Sequence, residues 1–424
     1  MDTASNAAQP GGVATKVRAV LLLGAIPNEH NFVRIGMERL RQEFDFVILD
    51  LNELLGRQAA SKSVEPAFEV TKIASIKELE QTLLKLKPRF ALDFVGIDAR
   101  AYLAICKTLE TAGTDLVVVK DGPIPAAGIL NTLGRLVKQA LKPEPSSAKP
   151  EPSSGTTEAP RTLNDSAIPG QSGVLNKLAT VIWAKFQNKI DIIGVFAGSK
   201  SYDVNSSFVR RKVWSSSEDV HTFQAKQGQR ATEATQGKIV FLDSPVADGS
   251  DWVALGRKPL VSAETYYPLL RKLFSEIEMV TGNQIVIAGH PNHKNQDGFA
   301  REMGGRVVAF NATPELIRDS AAVITHGSTA VSFAVLARKP LVFINSKELS
   351  ASAYGTMMSK MAKVLKRPTV YLDSALENLK PALEQPIDLG AYATYEDGYL
   401  QRKGAVETRQ WDSFIDLARQ KYQA

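Results

Sequence analysis

Short unbroken apolar runs alternate along this chain with stretches in which apolar residues recur every third or fourth position. VRAVLLLGA, beginning at Val17, has the make-up of a strand buried on both faces. FVILDL follows it after NFVRIGMERLRQEF, where Phe32, Ile35, Met37 and Leu40 fall near one helical face. RFALDFVG and TDLVVVKDGP repeat the strand signal, with the helical AYLAICKTLETAG between them. Strands alternating with helices imply a parallel sheet, so residues 16–142 are expected to form an N-terminal Rossmann-like unit.

The pattern then stops. KPEPSSAKPEPSSGTTEAPRTLNDSAIPGQSG contains KPEPSS twice and almost nothing to bury, so residues 143–173 read as a Pro/Ser-rich disordered linker or insert. Order resumes with the helical VLNKLATVIWAKF and the strand IIGVFAG, and residues 174–235 read as the remainder of the first unit and a connection. KIVFLD, QIVIAGHP, RVVAF, AVITH and LVFI are five further strands. Among them lie the helices ETYYPLLRKLFSEIEMV, with Leu270, Phe274 and Ile277 at helical spacing, and STAVSFAVLARK. Residues 236–385 are therefore a second parallel α/β unit. Residues 386–424 end in an amphipathic helix expected to cross back to the first unit, and residues 1–15 read as a disordered tail.

Composition narrows the function without naming it. A chain of 424 residues with 44% hydrophobic content is expected to form two domains. No run of about 18 apolar residues predicts a membrane span. The N-terminus has no apolar core of a secretory signal, so a cytoplasmic location is expected. Cys106 is the single cysteine, which excludes disulfides and cysteine-based metal sites. The balance of 51 Lys+Arg against 45 Asp+Glu, a net +6, is mild. It suits phosphorylated substrates or peripheral association with the inner face of an anionic membrane. Sparse aromatics, not interleaved with a basic stripe, argue against nucleic acid as a partner.

Candidate chemistry gathers at strand ends, because ligands of open α/β sheets collect there. Asp243 closes KIVFLD, His290 ends QIVIAGHP, and His326 ends AVITH. In one parallel sheet these three should converge on one crevice. Gly327 permits a sharp turn after His326, and both are expected to contact the nucleotide phosphate. Ser328 or Thr329 is then expected to cap the next helix, whose amino end would face an anion such as phosphate. His290, aimed by Pro291, suits a hydrogen bond to phosphate or protonation of a leaving group. Asp243 is the first choice for a base or carboxylate nucleophile, with Asp248 and Asp251 as additional carboxylates, although their DG and SD neighbours favour plain turns. The run Arg210-Arg211-Lys212 reads as a solvated charge cluster or a contact for an anionic acceptor. His30, His221 and His293 receive no role. There is no Asp-x-Asp pair and no GxxxxGK[ST] loop, and no metal or other cofactor is expected. GVFAGSKS, residues 194–201, has its glycines wrongly spaced for a phosphate loop.

Together, KIVFLDSP, YYPLLRKLFSEIE, IVIAGHP and ITHGSTAVSFAVLARKPLVFI resemble the C-terminal half of GT-B glycosyltransferases that build bacterial surface or capsular polysaccharide. The nearest group carries a His-Pro motif and a later Ser-Ser or Ser-Thr motif, and transfers sialic acid or Kdo from a CMP-activated donor. The resemblance implies two Rossmann-like domains facing a cleft, a metal-independent transferase, and a nucleotide sugar as substrate. It also implies nucleotide phosphate contacts at His290-Pro291 and Ser328-Thr329, and a glycan or glycolipid acceptor. Many users of UDP-sugars carry a glutamate in the helix after the hydroxyl pair; here that helix reads STAVSFAVL, with Ser332 near the place and no acid. A UDP-sugar transferase or UDP-GlcNAc 2-epimerase-like enzyme is the alternative within the fold. A non-catalytic partner in polysaccharide assembly is the alternative outside enzymes.

Overall fold

The computed structural model describes residues 16–24, 36–56, 70–95, 101–120, 173–201, 208–226, 228, 237–247, 259–290, 296–373 and 379–423. The tail 1–15, nearly all of the Pro/Ser segment, Pro291, Asp248 and Asp251 lie outside them.

The first sheet holds β1 (Val17–Leu23), β2 (Phe44–Asp50), β3 (Val70–Lys72), β4 (Phe90–Phe94), β5 (Asp115–Lys120), β6 (Ile192–Phe196) and β7 (Arg211–Trp214). All pairings are parallel, in the order β3-β2-β1-β4-β5-β6-β7. Parallel strands covered on both faces need apolar residues at successive positions, which is why VRAVLLL carries no alternation. One face is covered by the helices Ile76–Leu86, Tyr102–Ala112 and Gly173–Phe186. On the other face, Trp411, Phe414, Ile415 and Ala418 of the terminal helix Gln410–Tyr422 join Met37 and Leu40 against the sheet.

The second sheet holds β8 (Ile239–Leu242), β9 (Ile285–Gly289), β10 (Val308–Phe310), β11 (Ala322–Thr325), β12 (Leu341–Asn345) and β13 (Thr369–Tyr371). It too is parallel, in the order β10-β9-β8-β11-β12-β13. The helix Ala263–Thr281 lays Tyr266, Tyr267, Leu270, Leu273, Phe274 and Ile277 on one face. The helices Thr313–Asp319, Val331–Leu336 and Leu389–Tyr395 cover the other.

Three short strands, β3, β7 and β13, have no counterpart in the sequence reading. All are edge strands with partly exposed residues, so the apolar run that marks a central strand is missing. β7 contains Arg211 and Lys212, read above as a charge cluster. Arg211 pairs with Asp191 at 3.5 Å, and Arg210 donates to the Ala184 carbonyl at 2.9 Å, so both arginines have structural partners.

The chain passes between the two sheets through Ser215, Ser216 and Ser217, all fully buried. Ser216 N–H donates to Thr408 O at 2.9 Å and Ser217 N–H to Leu400 O at 2.7 Å, which stitches this crossing to the returning one. The loop after β6 completes the junction. Ser199 and Lys200 donate their backbone N–H groups to Asp397 and Gly398 carbonyls at 2.8 and 2.6 Å. A Cβ on Gly198 would sit 2.2 Å from the Tyr399 backbone nitrogen, so only glycine lets the two segments approach. GVFAGSKS is thus a joint between segments, with these two amides already committed.

Candidate nucleotide crevice

In the order β10-β9-β8-β11-β12-β13 the direction of winding reverses between β8 and β11. Ligands of such sheets bind outside the strand carboxyl ends at this reversal. β8 is followed directly by Asp243 and β11 by His326, while β9, on the other side of β8, is followed by His290. The three predicted strand ends are therefore neighbours, with Asp243 central. Its backbone N–H donates to Ala288 O at 3.1 Å, and its carboxylate accepts the His290 backbone N–H at 3.1 Å. Asp243 is buried and His290 half-buried.

His326 lies here but plays a different part from the predicted phosphate contact. It is fully buried between the sheet and the helix Ala263–Thr281. Its Nδ1 lies 3.0 Å from the Ile344 carbonyl oxygen, which can only accept, so Nδ1 carries the proton. Nε2 is then the acceptor for the Tyr266 hydroxyl. Burial lowers the imidazole pKa from 6.5 to about 4, against the hydrogen bond to Ile344 and the nearby Asp243 charge. A neutral ring with both nitrogens occupied cannot reach a ligand. Its task is to anchor the turn that follows.

That turn differs from the expected capped helix. The helix covers only Val331–Leu336, and its N-cap is Ala330 with no side-chain cap. Ser328 Oγ accepts the Ala330 N–H at 3.2 Å, and Val331, Ser332 and Phe333 donate to carbonyls three residues back. The segment winds in as a tight i→i+3 turn, and a six-residue helix supplies little macrodipole. Gly327 has φ +144 and donates to Thr325 Oγ1 at 3.1 Å, while its carbonyl accepts the Tyr354 hydroxyl at 2.9 Å. Among the described residues, the backbone N–H groups of Ser328 and Thr329 have no internal acceptor. Thr329 is exposed and Ser328 half-buried. Two adjacent free amides beside two hydroxyls are donors of the kind that anions take. Ser328 and Thr329, expected to meet phosphate at the end of a helix dipole, instead present backbone N–H groups from a tight turn.

Around this turn, Ser244 and Tyr354 close the side toward Asp243. Burial pushes the Tyr354 hydroxyl up to about 12, with Ser244 hydrogen bonding opposing and the Asp243 charge adding to the rise. Ser332 is buried, with Oγ 2.5 Å from Asp219 Oδ2 of the helix Glu218–Ala225. The position where the sequence shows no acid therefore meets a carboxylate brought from elsewhere in the chain. Among the described residues no group of three His, Cys, Asp or Glu side chains is arranged to hold a metal ion.

The first sheet has a second crevice, which no sequence motif marks. Its reversal lies between β1 and β4, where Leu22 pairs with Asp93 and Leu23 with Asp50. Both carboxylates are buried. Asp93 accepts the Val95 N–H at 2.9 Å and the Tyr102 hydroxyl at 2.5 Å; Asp50 accepts the Asn52 amide side chain at 2.6 Å. Burial first, then the Asp93 charge, pushes the Tyr102 hydroxyl and Cys106 thiol well above their usual ranges. The available signal was an aspartate inside each of the apolar runs FVILDL and RFALDFVG, where strands otherwise exclude charge.

No protein-family model matches this sequence, and no curated protein does. Solved structures match over nearly the whole chain. Phytolacca americana UGT2, complexed with UDP-2-fluoro-glucose and pterostilbene, superposes with TM-score 0.52 at 10% identity, covering 96% of this chain and 99% of that one. CalG4, the calicheamicin glycosyltransferase, gives 0.51 at 10% identity, covering 96% and 98%. A variant of Os79 from O. sativa in complex with UDP gives 0.51 at 13% identity, covering 95% and 100%. At such identities the likeness carries the fold alone. The chain has the GT-B fold, two parallel α/β domains facing a cleft.

Proposed function

We propose that this chain is a glycosyltransferase that moves a sugar from a nucleotide-activated donor held at the β8/β11 crevice to an acceptor held at the β1/β4 crevice. One observation supports this most: Ser328 and Thr329 present free backbone amides at the reversal of the second sheet, beside Asp243 and His290. In the reaction, an acceptor oxygen bonds to the anomeric carbon as the bond to the nucleotide phosphate breaks, and the acceptor proton passes to a base. The amides and hydroxyls of Ser328 and Thr329 stabilise charge on the departing phosphate, as preorganised donors do. His290 adds a hydrogen bond or the proton, and no metal takes part in this proposal. Asp243 fixes the His290 turn and is one candidate base; Asp93, across the cleft, is the other.

The donor class we propose is a CMP-activated sugar of the Kdo or sialic acid kind, with a surface polysaccharide or glycolipid as acceptor. The His290-Pro291 and Ser328-Thr329 motifs support it, as does the absence of acidic residues in the first turn of Val331–Leu336. A UDP-sugar is the second reading, favoured by the Asp219 carboxylate that meets Ser332 at that helix.

Thermal unfolding of the full chain with CMP and with UDP distinguishes them. A nucleotide at one hundred times its Kd stabilises the folded state by about 2.7 kcal/mol. Stabilisation by CMP and not UDP is the expected result. The reverse overturns the donor assignment, and no effect of either nucleotide overturns the site.

A further inference from the structure

Helices that cross between parallel strands run opposite to them, so their C-termini gather at the amino ends of the strands. In the first domain this edge faces away from the cleft. Three large apolar side chains are exposed there: Leu84 at 48%, Ile182 at 49% and Phe186 at 78%. They belong to the last turns of Ile76–Leu86 and Gly173–Phe186, which flank Tyr102–Ala112 in one layer. Between them run exposed cations, Lys85, Lys87, Arg89 and Lys185, with Lys16 and Arg41 farther along the same edge. Leu84, Lys87, Arg89 and Lys421 line one cleft of about 480 Å³, and Lys16, Arg18 and Arg41 a second.

Five carboxylates on this edge already have partners. Asp45 pairs with Arg18 at 2.5 Å, Glu43 with Arg419 at 2.7 Å, and Asp191 with Lys421 at 2.5 Å. Asp115 takes the Tyr422 hydroxyl at 2.7 Å and Lys421 at 3.4 Å, while Glu110 takes the Trp183 indole at 2.7 Å. Among the described residues Lys85, Lys87, Arg89 and Lys185 have no carboxylate partner. Cations at helix C-termini alone would follow from the helix dipole. That preference gives no reason for Phe186, Ile182 and Leu84 to stand in water beside them.

We infer that this edge is a docking surface for an anionic lipid bilayer, with Leu84, Ile182 and Phe186 entering the headgroup boundary and the four lysine and arginine side chains facing lipid phosphates. The inference stands whether or not the sugar-transfer reading of the crevice holds. It has a geometric consequence. The carboxyl ends of β1 and β4 point away from the bilayer, a strand of seven residues being about 23 Å long. An acceptor in that crevice then lies beyond the headgroups, as the free end of a glycan does.

Co-sedimentation of the full chain with phosphatidylcholine vesicles, with and without phosphatidylglycerol, tests the surface. Binding is expected only with the anionic lipid, and should weaken as salt rises. Each cation contributes roughly fivefold in affinity. Combining Lys85→Glu, Lys87→Glu and Lys185→Glu should therefore weaken it by more than about 100-fold, and Phe186→Ser should weaken it separately. Unfolding midpoints near that of the parent protein show that the variants fold. Equal binding to neutral vesicles, no binding to anionic ones, undiminished binding by both variants, or full displacement by glycerol phosphate would each overturn the inference.

Discussion

The carboxylate of Asp243 accepts the backbone N–H of His290 at 3.1 Å, joining the ends of two adjacent strands at the mouth of the crevice. The contact separates two roles for Asp243. Asp243→Asn retains an oxygen that can accept this N–H, whereas Asp243→Ala leaves the amide without its partner, at a cost of about 1–3 kcal/mol. If Asp243 positions the turn, the asparagine variant keeps most nucleotide affinity and activity while the alanine variant loses both. Equal and near-complete loss of kcat in both variants, with nucleotide binding intact, would instead make Asp243 the base.

His326 makes stability depend on pH. Its pKa is 6.5 when exposed and about 4 in the fold, because burial disfavours the charged ring. Between these values the unfolded chain binds more protons than the folded one, so stability rises with pH. The contribution is fully present above about pH 6.5 and is lost as pH falls toward 4, on the order of 3 kcal/mol. Denaturant titrations from pH 7 to 4.5 should show this slope, and His326→Gln should flatten it.

Gly327 adopts φ +144, and a Cβ there would lie 2.5 Å from Met358 Cγ. The side chain can move; the backbone conformation is the larger obstacle. Gly327→Ala should destabilise the fold by about 1–3 kcal/mol and tilt the Ser328 and Thr329 amides. Nucleotide affinity should fall further than in Thr329→Ala, which keeps the backbone. Calorimetric titration compares the two.

Asp93 sits in the other domain's crevice, so its loss should affect the acceptor step alone. Asp93→Asn should leave nucleotide-induced thermal stabilisation unchanged and reduce transfer at least tenfold, within the range of general-base contributions. An equal loss of nucleotide binding would show that Asp93 supports the fold rather than the reaction.

The order and kind of most elements were legible from the apolar pattern, because a strand buried on both faces has no polar position to interrupt it. The meeting of Asp243 with His290 was legible for a related reason. Parallel strands put all their carboxyl ends on one edge, whatever their order. The edge strands β3, β7 and β13 were not legible, since short half-exposed segments leave little pattern. Nor was the inward turn of His326, whose partners Tyr266 and Ile344 lie 60 and 18 residues away. Asp219 reaches Ser332 across 113 residues. The sequence alone determined which residues stand at strand ends. Tertiary structure decided which of them stay open at the sheet edge and which are tied inward, because burial and hydrogen-bond partners come from segments that local spacing cannot bring together.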